Sequence, residues 1–135
     1  MSVGLLLITH RPLGADLLRV ATEIFGTCPT RTGSLEVEND APREGIMAAA
    51  KRLAQELDTG DGLLVMTDIY GATPANLAVA LCADHPHRRV LAGVNLPMLV
   101  RALNYAGLDL ETLADKALTG GRDGVRHCPG PDAED

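Results

Sequence analysis

At 135 residues, with 46% hydrophobic and 22% charged side chains, the chain is sized for one domain with a full core, which excludes wholesale disorder. Lys and Arg total 12 against 18 Asp and Glu, and aromatics make up only 2% (Phe25, Tyr70, Tyr105), which excludes a basic, base-stacking nucleic-acid surface. No apolar run approaches the ~18 residues that cross a bilayer. The short N-terminal run lacks a basic flank and ends in His-Arg-Pro, so it does not read as a signal peptide.

Cys28, Cys82 and Cys128 are odd in number, widely spaced and without a CxxC pair, which fits reduced thiols and a cytoplasmic location. His85-Pro86-His87 has the look of a metal pair, but Asp84, Arg88-Arg89 and the central proline read as a polar loop ahead of a strand. Neither a metal nor a cofactor is expected.

In chain order, Val3 to Ile8 is a continuous apolar run, the pattern of a strand buried on both faces, ending at Thr9-His10. Arg11 to Gly14 reads as a turn. Asp16 to Phe25 carries Leu17, Leu18, Ala21, Ile24 and Phe25 on one helical face, with Gly26 as C-cap. Ser34 to Glu38 alternates polar and apolar, predicting a half-buried strand near an edge. Asn39-Asp40-Ala41-Pro42 predicts an Asx cap and a proline in the first turn of a helix that runs through Ile46, Ala50, Leu53 and Leu57.

Leu63 to Met66 is a second continuous apolar run, ending at Thr67-Asp68. Thr73-Pro74 predicts a helix start and a helix from Pro74 to about Ala83, placing Cys82 mid-helix. Arg89 to Val94 reads as a strand, and Asn95-Leu96-Pro97 begins a helix closing at Ala106-Gly107. Leu110, Leu113, Ala117 and Leu118 mark a last helix ending at Gly120-Gly121. Asp123 to Cys128 is predicted as a short edge strand.

The alternation of strand and helix implies an α/β, doubly wound, mainly parallel sheet of four central strands with helices on both faces. One domain spans residues 1–128, and residues 129–135 read as an acidic disordered tail.

In such a sheet the carboxyl ends of the strands converge on one edge, here bringing His10, Asp68 and Val94-Asn95 together. An aspartate accepting from one imidazole nitrogen leaves the other unprotonated and nucleophilic. Gly71, Ala72 and Thr73 precede a helix, where free N–H groups and the helix dipole suit a phosphoryl anion. The combination describes a phosphohistidine site. Taken singly, Asp68 could instead cap its own turn, Gly71 could only supply a positive φ, and Arg11 could be a solvated loop residue or a phosphate clamp. No GxGxxG, GxxxxGK[ST] or Ser/Cys nucleophile motif is present.

Thr9-His10 after its apolar run, Thr67-Asp68-Ile69-Tyr70-Gly71-Ala72-Thr73-Pro74-Ala75-Asn76, and Gly93-Val94-Asn95-Leu96-Pro97-Met98 together resemble the enzyme IIA domain of the mannose class. That class belongs to the bacterial phosphoenolpyruvate-dependent sugar phosphotransferase system. The resemblance runs from about Met1 to Leu118. It implies a cytoplasmic homodimer, with a C-terminal strand exchanged between subunits and no direct membrane insertion. It implies that His10 accepts a phosphoryl group on Nε2 from the histidine-containing phosphocarrier protein and passes it to a histidine of enzyme IIB. Asp68 would hold Nδ1, Gly71, Ala72 and Thr73 would seat the phosphoryl group, and Arg11, Asn95 and Pro97 would face the partner proteins.

The chain departs from the family at three places: Arg11 stands where a small residue, commonly glycine, follows the histidine, Ala72 replaces the second glycine, and Ala75 replaces the phenylalanine of Pro-Phe-Asn. The chain also stops soon after the IIA region, which implies no fused IIB domain. Two alternatives follow: a regulatory protein whose phosphorylation state is sensed by a target without sugar transport, and the phosphoryl donor subunit of a dihydroxyacetone kinase.

Overall fold

The element order is β1 (Gly4–His10), α1 (Leu13–Phe25), β2 (Thr32–Val37), α2 (Arg43–Leu57), β3 (Leu63–Thr67), α3 (Thr73–Cys82), β4 (Arg88–Ala92), α4 (Leu96–Asn104) and α5 (Leu110–Asp123). These come from a computed structural model that describes residues 2–129. All four strands are parallel, in the order β2-β1-β3-β4. The two inner strands, β1 and β3, are the two continuous apolar runs. β3 is buried throughout, and in β1 only His10 escapes full burial. A strand covered on both faces needs apolar side chains at every position, which removes the alternation seen in an edge strand such as β2.

Alternate residues of the inner strands feed two layers of core. Leu5, Leu7, Leu64 and Met66 meet α1, α4 and α5 through Leu18, Ala21, Leu99, Leu103 and Leu113. Leu6, Ile8, Leu63 and Val65 meet α2 and α3 through Ala50, Ala54, Leu77 and Leu81. Each large aliphatic chain closed off in these layers contributes roughly 1.5–3 kcal/mol of burial free energy. The site therefore stands on the most deeply buried part of the molecule.

Parallel register places Ile8 opposite Thr67 and His10 opposite Val37. His10 and the Asp68 that follows β3 thus leave the same edge of adjacent strands, where the strand order reverses direction. Open parallel sheets form their functional crevice at such a point.

Several helix limits differ from the sequence reading. α1 begins at Leu13, so Gly14 is helical instead of part of a turn. Pro42 flanks α2 as its N-cap residue, and no side chain from Asn39 or Asp40 caps it. Ala72, not Thr73, is the N-cap of α3, and Cys82 is its last residue instead of lying mid-helix. Burial pushes the Cys82 thiol up to about 11, so it is held as the neutral thiol.

The largest departure concerns the C-terminus. Gly120 and Gly121 do not end α5; the helix runs on to Asp123, and residues 125–129 form no strand. The glycines are packed inward. A Cβ on Gly120 would meet Arg101 Cβ at 2.9 Å, and one on Gly121 would meet Met98 Cε at 2.9 Å. Small residues at a close helix–helix approach explain the pair better than chain termination. The edge strand expected over Asp123 to Cys128 is therefore absent, and the outer edge of β4 has no neighbour among the described residues. Of the expected acidic tail, residues 130–135 lie outside the described residues.

Candidate active site

Thr9 fixes the end of β1. It is fully buried, its Oγ1 accepts the Gly14 N–H at 2.7 Å, and the same hydroxyl donates to the His10 carbonyl at 3.0 Å. The first turn of α1 is also held from β2, where Glu36 Oε1 accepts the Ala15 N–H at 2.9 Å. Both contacts use helix N–H groups that lack intrahelical acceptors. The strand-to-helix corner carrying His10 is thereby tied down on two sides.

Asp68 supplies the other half of the site. Its Oδ2 accepts the His10 backbone N–H at 2.9 Å and lies 2.8 Å from His10 Nδ1. Its Oδ1 accepts the N–H of Ile69 at 2.9 Å. The two readings that the sequence left open, capping its own turn and orienting His10, are thus both realised, one by each oxygen. Burial alone would raise the Asp68 carboxyl, but the bonds from His10 and Ile69 outweigh it and hold the group below its ordinary value. An ionised carboxylate only accepts, so Nδ1 carries the proton and Nε2 of the neutral ring keeps its lone pair. The Asp68 side chain is 7% exposed and that of His10 is 38% exposed, so the ring is supported from inside and reachable from outside.

The loop after Asp68 is partly as expected. Gly71 has φ +85° and Ala72 keeps a negative φ of −80°, so the Gly-to-Ala departure costs no backbone strain. The Ala72 N–H is spent on the Ile69 carbonyl at 3.2 Å. The N–H groups of Thr73 and Ala75, in the first turn of α3, have no intrahelical acceptor, and groups of this kind together with the helix dipole favour an anion. Glycine at 71 meets nothing within 4 Å of a built Cβ, so its positive φ is the constraint there, not space.

Arg11 turns away from the sheet interior, its N–H bonded to the Val37 carbonyl at 3.3 Å and its guanidinium paired with Glu38. Asn95 and Pro97 have internal employment. Asn95 Oδ1 caps α4 by accepting the Met98 N–H at 2.9 Å, and its Nδ2 donates to the Gly121 carbonyl at 3.0 Å. Pro97 lies against Gly124 so closely that a Cβ there would overlap its ring. The sequence reading assigned no part to Thr9, Glu36 or Glu38. Glu36 and Glu38 carried only the signal of acidic residues at the end of an alternating strand. Ile69 and Tyr70, 61% and 88% exposed, present apolar surface in the loop that follows Asp68.

His10 lies on an open edge. The two cavities near 500 Å³ are lined elsewhere, one by Asp61, His87, Arg89 and Asp109 and the other by residues of α2 such as Met47 and Lys51. No described helix is long and apolar enough to cross a membrane.

Known proteins share this fold and much of this sequence pattern. Residues 4–118 match the family EIIA-man, described as the PTS system fructose IIA component. The chain is 30% identical over 128 residues to the PTS system mannose-specific EIIAB component of Escherichia coli (strain K12), covering 93% of this chain and 39% of that protein. It thus spans well under half the length of the curated relatives it matches. Two solved structures share the fold. One is the mannose/sorbose specific IIA subunit of the phosphotransferase system from Enterococcus faecalis (TM-score 0.86, 24% identity, 99% of this chain and 100% of that one). The other is the phosphotransferase system component EIIA from Streptococcus agalactiae (TM-score 0.80, 23% identity, 93% and 96%). The chain belongs to the EIIA-man family, the mannose-class enzyme IIA components of the sugar phosphotransferase system, which are phosphotransferases carrying phosphohistidine.

Proposed function

We propose that His10 is the phosphoryl carrier, taking the group from the histidine-containing phosphocarrier protein and passing it to a histidine of enzyme IIB. The observation that carries this reading is the pair of hydrogen bonds from His10, backbone N–H and Nδ1, to Asp68 Oδ2, which leaves Nε2 of a part-exposed ring nucleophilic. The Nε2 lone pair attacks phosphorus, a new N–P bond forms, and the donor's N–P bond breaks with its electron pair returning to the donor imidazole. Positive charge developing on the His10 ring is stabilised by the ionised Asp68, while Thr73 and Ala75 N–H groups face the phosphoryl oxygens. Positioning and charge stabilisation supply most of the catalysis, as in phosphoryl transfer generally.

A part-exposed ring at the edge of the sheet suits a reaction between two proteins, and exposed Ile69 and Tyr70 give a partner apolar surface to bury. Arg11 belongs to the same partner-facing rim. Asn95 and Pro97 act there indirectly, by holding α4 and the end of α5. The outer edge of β4, unpaired among the described residues, is where a second copy would pair, and the homodimer is part of the same proposal.

Incubation with phosphoenolpyruvate, enzyme I and the phosphocarrier should add one acid-labile phosphoryl group per chain. Undiminished uptake by His10→Ala would overturn the assignment.

A further inference from the structure

We propose that Arg11 is the cation that neutralises the phosphoryl group on His10, and that Glu38 holds its guanidinium in reserve while His10 is unmodified. The inference rests on the phosphoryl-carrier reading above. It begins with the charge of the edge on which His10 stands. Four loops gather there, residues 11–12, 38–42, 68–72 and 93–95. They carry three carboxylates, Glu38, Asp40 and Asp68, and one cation, Arg11. Beyond the loops, Arg43 opens α2, and Asp16 in the first turn of α1 is faced by Arg19 at 3.7 Å.

A phosphoryl group near neutral pH brings a charge of about −1.5 to −2 to this acidic edge. Asp68 cannot move away from it, because both its oxygens are committed to His10 and Ile69. Repulsion from the fixed carboxylates would disfavour the dianion unless a cation arrives. The nearest in the chain is Arg11, the neighbour of His10 itself. Its backbone is pinned by the bond from its N–H to the Val37 carbonyl, so the side chain is rooted one residue from His10 whichever partner it takes.

The pairing with Glu38 is of the easily exchanged kind. The two side chains are 63% and 51% exposed, and exposed ion pairs contribute little to stability. A guanidinium fork matches two phosphoryl oxygens as well as it matches a carboxylate, and a dianion attracts it more strongly than the single charge of Glu38. No covalent bond changes in the exchange, and the guanidinium keeps its proton throughout. Lysine could supply the charge here but not the fork.

The test uses the full chain, phosphorylated by phosphoenolpyruvate, enzyme I and the phosphocarrier. The pH dependence of the phosphohistidine ³¹P shift is followed in wild type, Arg11→Gln, Arg11→Lys and Glu38→Gln. A cation against the phosphoryl oxygens lowers the pH at which they take up a proton. Arg11→Gln should therefore raise the titration midpoint by about one unit, and Arg11→Lys should restore part of the difference. Glu38→Gln, which frees Arg11 from its competitor, should move the midpoint in the opposite direction to Arg11→Gln. A common midpoint in wild type and Arg11→Gln, or displacement in the same direction by both neutral variants, overturns the inference and leaves the carrier reading intact. Failure of the wild-type protein to give any phosphohistidine signal overturns both.

Discussion

A single oxygen of Asp68, Oδ2, receives the backbone N–H of His10 at 2.9 Å and faces its Nδ1 at 2.8 Å, across 58 positions of sequence. The imidazole is thereby oriented against the frame of the sheet and not merely against its own loop. Asp68 is itself anchored, since its carbonyl accepts the Gly93 N–H at 3.0 Å from the start of the β4–α4 connection. Three of the four strand ends thus meet at one carboxylate-bearing residue.

Asp68→Asn keeps the shape and removes the charge. A hydrogen bond to a charged group is worth about 1.5–3 kcal/mol, so phosphoryl uptake should slow by roughly one to two orders of magnitude. Single-turnover transfer from the phosphorylated phosphocarrier measures it. Far-ultraviolet circular dichroism should show the fold unchanged.

The depressed Asp68 carboxyl also gives a signed pH dependence. Burial opposes ionisation, but the bonds from His10 and Ile69 prevail, so the folded-state value lies below the unfolded one. Stability from this group is present above the unfolded value and is lost as pH falls through the folded value. Urea unfolding of wild type and Asp68→Asn should therefore show a gap that holds from neutrality down to about pH 4 and shrinks in stronger acid. A gap that widens on acidification would contradict the sign.

Gly14 is required for space. A Cβ there would lie 2.8 Å from Thr9 Oγ1 and 3.3 Å from Leu7 Cβ, forcing α1 away from β1. Gly14→Ala should cost about 1–3 kcal/mol in chemical denaturation. Because the Thr9 hydroxyl also holds the His10 carbonyl, the variant should lose phosphoryl uptake beyond what its unfolded fraction explains.

Asn95 does two things that two substitutions separate. Asn95→Ala removes the α4 cap and the bond to Gly121, and should cost about 1–2 kcal/mol. Asn95→Asp keeps a capping oxygen but sets a carboxylate against the Gly121 carbonyl, so α4 should hold while the end of α5 loosens. Amide hydrogen exchange should then quicken around Arg122 and Asp123 in both variants, and around Met98 only in Asn95→Ala.

The architecture was legible because buried parallel strands and amphipathic helices write different periods into the chain. His10 and Asp68 were legible because each follows an uninterrupted apolar run, and parallel strands end together. What escaped was decided at long range. Gly120-Gly121 has the local chemistry of a helix end, yet Arg101 and Met98 press on the pair and the helix continues. Asn39 and Asp40 have the chemistry of a cap, but no side chain caps α2. Thr9 and Glu36 gain their parts only when α1 folds back on β1 and β2 and brings its free N–H groups to them. Asn95 could be read as a helix start, but its bond to Gly121 spans 26 positions that only the fold closes.

The most direct measurement is the position of the phosphoryl group, found by ¹H–³¹P correlation in the phosphorylated protein and repeated with His10→Ala. The account predicts phosphorus on Nε2 of His10 and no signal in the variant. Phosphorus on Nδ1 of His10, or an undiminished signal at His85, His87 or His127 in the variant, would contradict it.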